Sequence, residues 1–138
     1  MTEDSYILHV HRIVGQPGAP VVFMQHGLED SSATWVLAGP EHGAPAFRLA
    51  EQGYDVWLGN FRGNSYSRAH LSLNPDVDNE YWRFTWDEMA RHDLPAMLDY
   101  VMEETGKADL STRSQRLTTC CYASSSCLDG LRELSATT

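Results

Sequence analysis

The chain predicts an α/β fold with a mostly parallel sheet, on three observations. A short apolar run, Val21-Val22-Phe23-Met24, stops at Gln25-His26-Gly27, as a buried strand does when it feeds a tight turn. A second run, Tyr54-Asp55-Val56-Trp57-Leu58, closes at Gly59-Asn60. Between them Ala44–Gln52 carries Ala46, Phe47, Leu49 and Ala50 at helical spacing. Strand, helix and strand thus follow within about forty residues, the length of a βαβ unit, whose strands must run parallel.

Composition narrows the function. The chain has 138 residues and a formal net charge of −9, enough for one modest domain. The acidic balance argues against nucleic acid or an anionic membrane surface as partner, since both require clustered Lys and Arg. No apolar run reaches the length of a transmembrane helix. Met1-Thr2-Glu3-Asp4 is acidic and lacks the apolar core of a signal peptide, so none is expected. Cys120, Cys121 and Cys127 have no His at metal-site spacing. They read as free thiols, with neither disulfide, metal site nor cofactor expected.

In chain order, Tyr6–Ile13 reads as one early, partly exposed strand with His9 and His11 on one face. A metal pair there would need a third ligand, and solvent-facing histidines are the simpler reading. Val14–Ala19 is a turn, and Pro20–Gln25 is the first central strand. Glu29–Pro40 is expected to be a cleft-lining loop with a helical turn. The helix over Ala44–Gln52 ends before Gly53. Phe61–Asp78 has no period and reads as a long loop, a place where function is often carried. Thr85-Trp86-Asp87-Glu88 has the capping-box pattern. Pro95 should break the helical stretch that follows. This places one short helix before Asp93 and a second after it, with Asp93 as N-cap. Leu94, Leu98, Val101 and Met102 share one face, and Gly106 supplies the stop. The domain is expected over residues 1–110, followed over 111–138 by a Ser/Thr-rich, poorly ordered tail.

The sharpest chemical signal is Gln25-His26-Gly27-Leu28. Backbone just after a buried strand can aim a free N–H into a cleft, and the Leu28 N–H would then donate to a developing oxyanion. The alternative is an ordinary strand-to-loop turn. Gly59-Asn60-Phe61-Arg62-Gly63-Asn64-Ser65 fits neither phosphate-binding glycine pattern, so Arg62 is expected to pair structurally with a carboxylate. Asp87/Glu88 and Glu103/Glu104 are adjacent, face different ways on a helix, and read as solvated surface. Tyr81, Trp82, Phe84 and Trp86 read either as packing or as a lipid-facing lip.

Several of these stretches resemble a known family. They are Thr2–Leu8, Gln25–Leu28, Asp30–Ala33, Gly53–Asn60, Arg62–Ser67 and Trp86–Ala90 continuing through Asp93–Ala96. In this order they are similar to the gastric and lysosomal acid lipases, a family of α/β-hydrolases. The resemblance covers roughly residues 2–110, and Ser5 stands where the family usually has Gly. It implies the N-terminal strands and helices of an α/β-hydrolase fold, cut short, and descent from enzymes that hydrolyse triacylglycerols and sterol esters with a Ser–Asp–His triad. It assigns Leu28 as an oxyanion donor, Ser114 to the nucleophile position and Gln115 to the second oxyanion donor. Its members are usually lysosomal or secreted.

Thr112-Arg113-Ser114-Gln115-Arg116 lacks the small residues of a nucleophile elbow, and no His follows Ser114. The chain is therefore expected to be an inactive fragment or isoform of a lipase-like ester hydrolase, or alternatively a non-catalytic lipid-binding or regulatory fragment that self-associates through an exposed sheet edge.

Overall fold

The computed structural model describes residues 1–106 and the strand Thr118–Cys121. Strands β1 (Tyr6–Ile7), β2 (Val10–Ile13) and β3 (Val21–Gln25) are followed by helix α1 (Pro45–Glu51) and strand β4 (Asp55–Gly59). Strand β5 (Ala69–His70), helix α2 (Trp86–Glu88), helix α3 (Leu94–Thr105) and strand β6 (Thr118–Cys121) complete the order. The main sheet runs β2-β4-β3-β6. In it β3 pairs parallel with β4 from Val21↔Asp55 to Gln25↔Gly59, and parallel with β6 from Val22↔Thr118 to Gln25↔Cys121. Because β2 pairs antiparallel with β4, the sheet is mixed. A second sheet pairs β1 and β5 antiparallel.

All five positions of both β3 and β4 are buried, as strands covered on both faces must be. Alternation sends their side chains to opposite layers. Val22, Met24, Val56 and Leu58 pack with Trp35, Ala46 and Leu49 on the α1 side. Val21, Phe23 and Trp57 pack with Met97 and Val101 of α3 on the other. Each such side chain removed from water contributes about 1.5–3 kcal/mol.

Two expectations change. The single strand over Tyr6–Ile13 is two strands in two sheets. The Ser67 hydroxyl takes the His9 N–H at 3.0 Å between them, and the Tyr6 ring turns inward under the Arg62 guanidinium, 3.9 Å from its centroid. The second concerns Asp93: a short helix precedes it and α3 follows it, with Pro95 in the first turn of α3 as expected, but the chain between them stays helical. Met89–Asp93 winds as a π-turn, with the Leu94 N–H reaching back to the Met89 carbonyl. The wider turn accommodates the proline ring and its missing donor. Asp93 stands at the N-cap position of α3 but does not cap it with its side chain. Its backbone is helical, at φ −72° and ψ −52°, and its carboxylate is bound by Arg62.

Other local signals are realised as written. The Thr85 hydroxyl accepts from the Asp87 N–H at 3.2 Å while the Glu88 carboxylate takes the Thr85 N–H at 2.7 Å. The Thr85 hydroxyl and N–H hold the Glu88 carboxyl below its ordinary pKa. Gly106 ends α3 at φ 66°, the left-handed stop. Ser5 has φ 75°, the region that favours glycine. Among the described residues no helix is long and apolar enough to cross a membrane. The expected division at residue 110, and the tail apart from β6, lie outside the described residues.

Candidate active site

β3 and β4 end side by side, and the chain leaves them in two loops, Gly27–Ser31 and Phe61–Ser65. A cleft of about 470 Å³ opens between these loops and the rings of Trp82, Phe84 and Trp86. This is the carboxyl end of parallel strands, where ligand sites of α/β sheets form.

The floor is a buried hydrogen-bond network. Asn60, 0% exposed, follows β4 directly. Its Oδ1 accepts from the Ser32 N–H and from Asn64 Nδ2, each at 2.9 Å, while its Nδ2 donates to the Ser32 hydroxyl at 3.0 Å and the His9 carbonyl at 3.2 Å. The Asn64 Oδ1 takes the Tyr66 and Ser67 N–H groups at 3.0 Å, a side-chain turn that shapes the second loop. Gly63 sits at φ 83°, and a Cβ there would lie 2.8 Å from the Phe84 ring, so only glycine fits.

Arg62 anchors the network from behind. Its Nε donates to Asp93 Oδ1 at 2.8 Å, its backbone N–H donates to Asp93 Oδ2 at 2.9 Å, and its other nitrogens grip Asp4. Burial raises the Asp4 carboxyl, but the Arg62 hydrogen bonds outweigh it and bring the pKa to about 2. Burial pushes the Asp93 carboxyl up against the same guanidinium's pull. The structural pairing expected of Arg62 is thus found with Asp4 and Asp93.

His26 is 5% exposed and closes the first loop. The Phe61 N–H points at its Nε2 at 3.2 Å, and its Nδ1 lies 2.8 Å from the Gly27 carbonyl. A backbone N–H can only donate, so Nε2 is unprotonated and Nδ1–H donates to Gly27. Burial lowers the His26 pKa, which keeps the ring neutral.

Leu28 follows at the cleft's mouth, its side chain 62% exposed. Its N–H takes no acceptor among the described residues. Glu29, at φ 55°, turns the chain sharply beyond it. Trp82 and Trp86 are exposed on the opposite rim, while Tyr81 is buried behind them. The aromatic cluster is therefore divided, one ring packing and the others lining the cleft.

Of the sequence-derived site residues, Leu28 lies in the cleft, whereas Ser114 and Gln115 lie outside the described residues. His9 and His11 are exposed, with His11 Nδ1 2.9 Å from the Ser32 hydroxyl. Among the described residues no three His, Cys, Asp or Glu side chains are grouped to hold a metal. Sequence reasoning missed the linkage of Asn60, Asn64 and His26. The two asparagines flanking Arg62-Gly63 at a strand end were the available signal. It also missed Gln25, which is 1% exposed with neither amide atom finding a hydrogen-bond partner among the described residues.

Comparison with known proteins gives this geometry its class. Residues 1–39 match the family described as a partial alpha/beta-hydrolase lipase region. The match covers β1 to β3 and the first cleft loop, and the class this chain is similar to is that of the α/β-hydrolase lipases. The Caenorhabditis elegans lipase lipl-1 is 52% identical over 117 residues, covering 79% of this chain and 28% of that protein. Drosophila melanogaster Lipase 1 is 54% identical over 105 residues, 76% of this chain and 23% of that protein. Human gastric triacylglycerol lipase is 48% identical over 117 residues, 80% of this chain and 29% of that protein. The chain is similar to lipases of the acid lipase family, and it spans less than a third of the length of these curated relatives.

Proposed function

We infer that this chain supplies the oxyanion side of a carboxylic-ester hydrolase site for neutral lipid esters, triacylglycerol or sterol ester. The observation that carries the reading is the Leu28 N–H, without an acceptor among the described residues, at the mouth of a cleft rimmed by exposed Trp82 and Trp86. Attack on an ester carbonyl builds negative charge on its oxygen, and a fixed N–H donor stabilises that charge more than it stabilises the starting ester. The aromatic rim offers the acyl chain a surface to leave water. In this reading the described strands belong to the mostly parallel sheet of an α/β-hydrolase. Ser114 and Gln115 stand at the nucleophile and second-donor positions of this reading, within the Ser/Thr-rich stretch 111–138. Arg113 and Arg116 replace small elbow residues and no His follows, so the 138 residues alone turn over no ester.

The test pairs hydrolysis of p-nitrophenyl butyrate with tryptophan fluorescence on addition of tributyrin. The expected result is no enzymatic rate together with a saturable fluorescence change that Trp82→Ala reduces. A rate abolished by Ser114→Ala overturns the inactivity, and an unchanged fluorescence overturns lipid-ester binding.

A second reading is a non-catalytic lipid-binding or regulatory unit that self-associates. The outer edge of β2, which pairs with no strand among the described residues, favours it. A sedimentation coefficient that rises with concentration supports that reading, and a constant monomer value removes it.

A further inference from the structure

We propose that His26 is the positioning residue that aims the Leu28 N–H into the cleft, and that its ring takes no part in proton transfer. This rests on the reading of Leu28 as oxyanion donor. The Gly27 carbonyl and the Leu28 N–H belong to one planar trans peptide unit, and they point in opposite directions across it. A group that holds the carbonyl therefore sets the direction of the N–H.

His26 Nδ1–H holds that carbonyl at 2.8 Å. The ring is itself fixed at its other nitrogen by the Phe61 N–H at 3.2 Å, with Asn64 Nδ2 3.1 Å away. The Phe61 side chain meets the imidazole edge-to-face, centroids 5.5 Å apart at 77°. One buried imidazole thus ties the end of β3 to the residue pair leaving β4, so the donor is held by the sheet rather than by its own loop. Both ring nitrogens are engaged, which leaves neither free to move a proton to or from a substrate. A positioned donor loses less freedom when charge develops before it than a mobile one does.

The experiment uses the 138-residue chain, isotopically labelled, with hexanoate as probe. Its carboxylate offers an anionic oxygen and its tail suits the aromatic rim. In the unmodified chain the Leu28 amide resonance is expected to move downfield in a saturable way. In His26→Phe, with α3 amide resonances unchanged, the apparent affinity should fall about tenfold, the scale of one directed hydrogen bond. His26→Asn, whose amide can reach the Gly27 carbonyl, should recover part of it. Equal responses in the unmodified chain and His26→Phe overturn the positioning role while Leu28 stands as the donor. No Leu28 response in the unmodified chain overturns the donor reading, and this inference with it. Ring nitrogen shifts of the unmodified chain give a check that needs no variant. A neutral ring protonated at Nδ1 is expected near pH 7, and one protonated at Nε2, or charged, overturns the proposal.

Discussion

Strands β3 and β4 are dry and apolar between Asp55 at the start of β4 and Gln25 at the end of β3, yet the residues that leave their carboxyl ends form a polar network. The two regions touch, but they are stabilised differently. Along the strands, Val22, Phe23, Met24, Val56 and Leu58 exclude water from two helix-covered faces, and any apolar side chain of similar volume would serve nearly as well. Beyond them, Asn60, Arg62 and His26 are buried polar groups whose partners are individually fixed. Losing one partner there strands another in a dry setting, so tolerance is low and geometry is rigid. Both regions hold the fold, and in the proposed reading the polar one also sets where the Leu28 N–H points.

The comparison can be broken most forcefully at Arg62. Arg62→Ala leaves Asp93 buried without its cation and should cost about 4 kcal/mol in denaturant unfolding. Met24→Ala, which only opens a cavity in the apolar region, should cost about 3 kcal/mol. If Arg62→Ala costs much less than Met24→Ala, the polar network is not a structural anchor.

Gln25 sharpens the boundary between the regions. It ends β3 with neither amide atom partnered among the described residues, and a Cβ on neighbouring Gly59 would collide with it. Gln25→Met removes an unpaid desolvation at nearly constant volume and should stabilise the chain by about 1–2 kcal/mol. A loss of stability would mean that the amide does find a partner. Ser5→Gly should stabilise by about 1 kcal/mol, because Ser5 occupies a left-handed conformation that glycine adopts without strain. An unchanged midpoint would argue that the N-terminal turn is not held in that form.

The smallest effect is that of pH on the exposed end of the network. Asp4 has a folded pKa of about 2 against 3.8 for the free carboxyl. A depressed carboxyl binds its proton less readily when folded, so its contribution is complete above 3.8 and lost as pH falls towards 2. Asp4→Asn should lower stability near neutrality and flatten the profile in that window, the deficit closing as pH falls towards 2, as thermal melts across that range would read.

Much was legible in the sequence because it was local. The β3 and β4 runs, helix α1, the capping box at Thr85 and the stop at Gly106 each follow from a few adjacent residues. Pro95 marked the start of α3, but the sequence around it could not show that the chain before it stays helical through a π-turn over Met89–Asp93. The early strand was read as one because alternation reports a side chain's face and not the sheet it joins. The pairing of β1 with β5 depends on His70, sixty-four positions after Tyr6. By itself the sequence determined the βαβ core, the Leu28 candidate and the kinship to acid lipases, since periodicity, turn residues and motif order are properties of neighbours. Only the tertiary structure decided that Arg62 joins Asp4 to Asp93, and that His26 bridges Gly27 to Phe61. Those partners are distant in the chain, and hydrogen bonds need directions that sequence spacing does not encode.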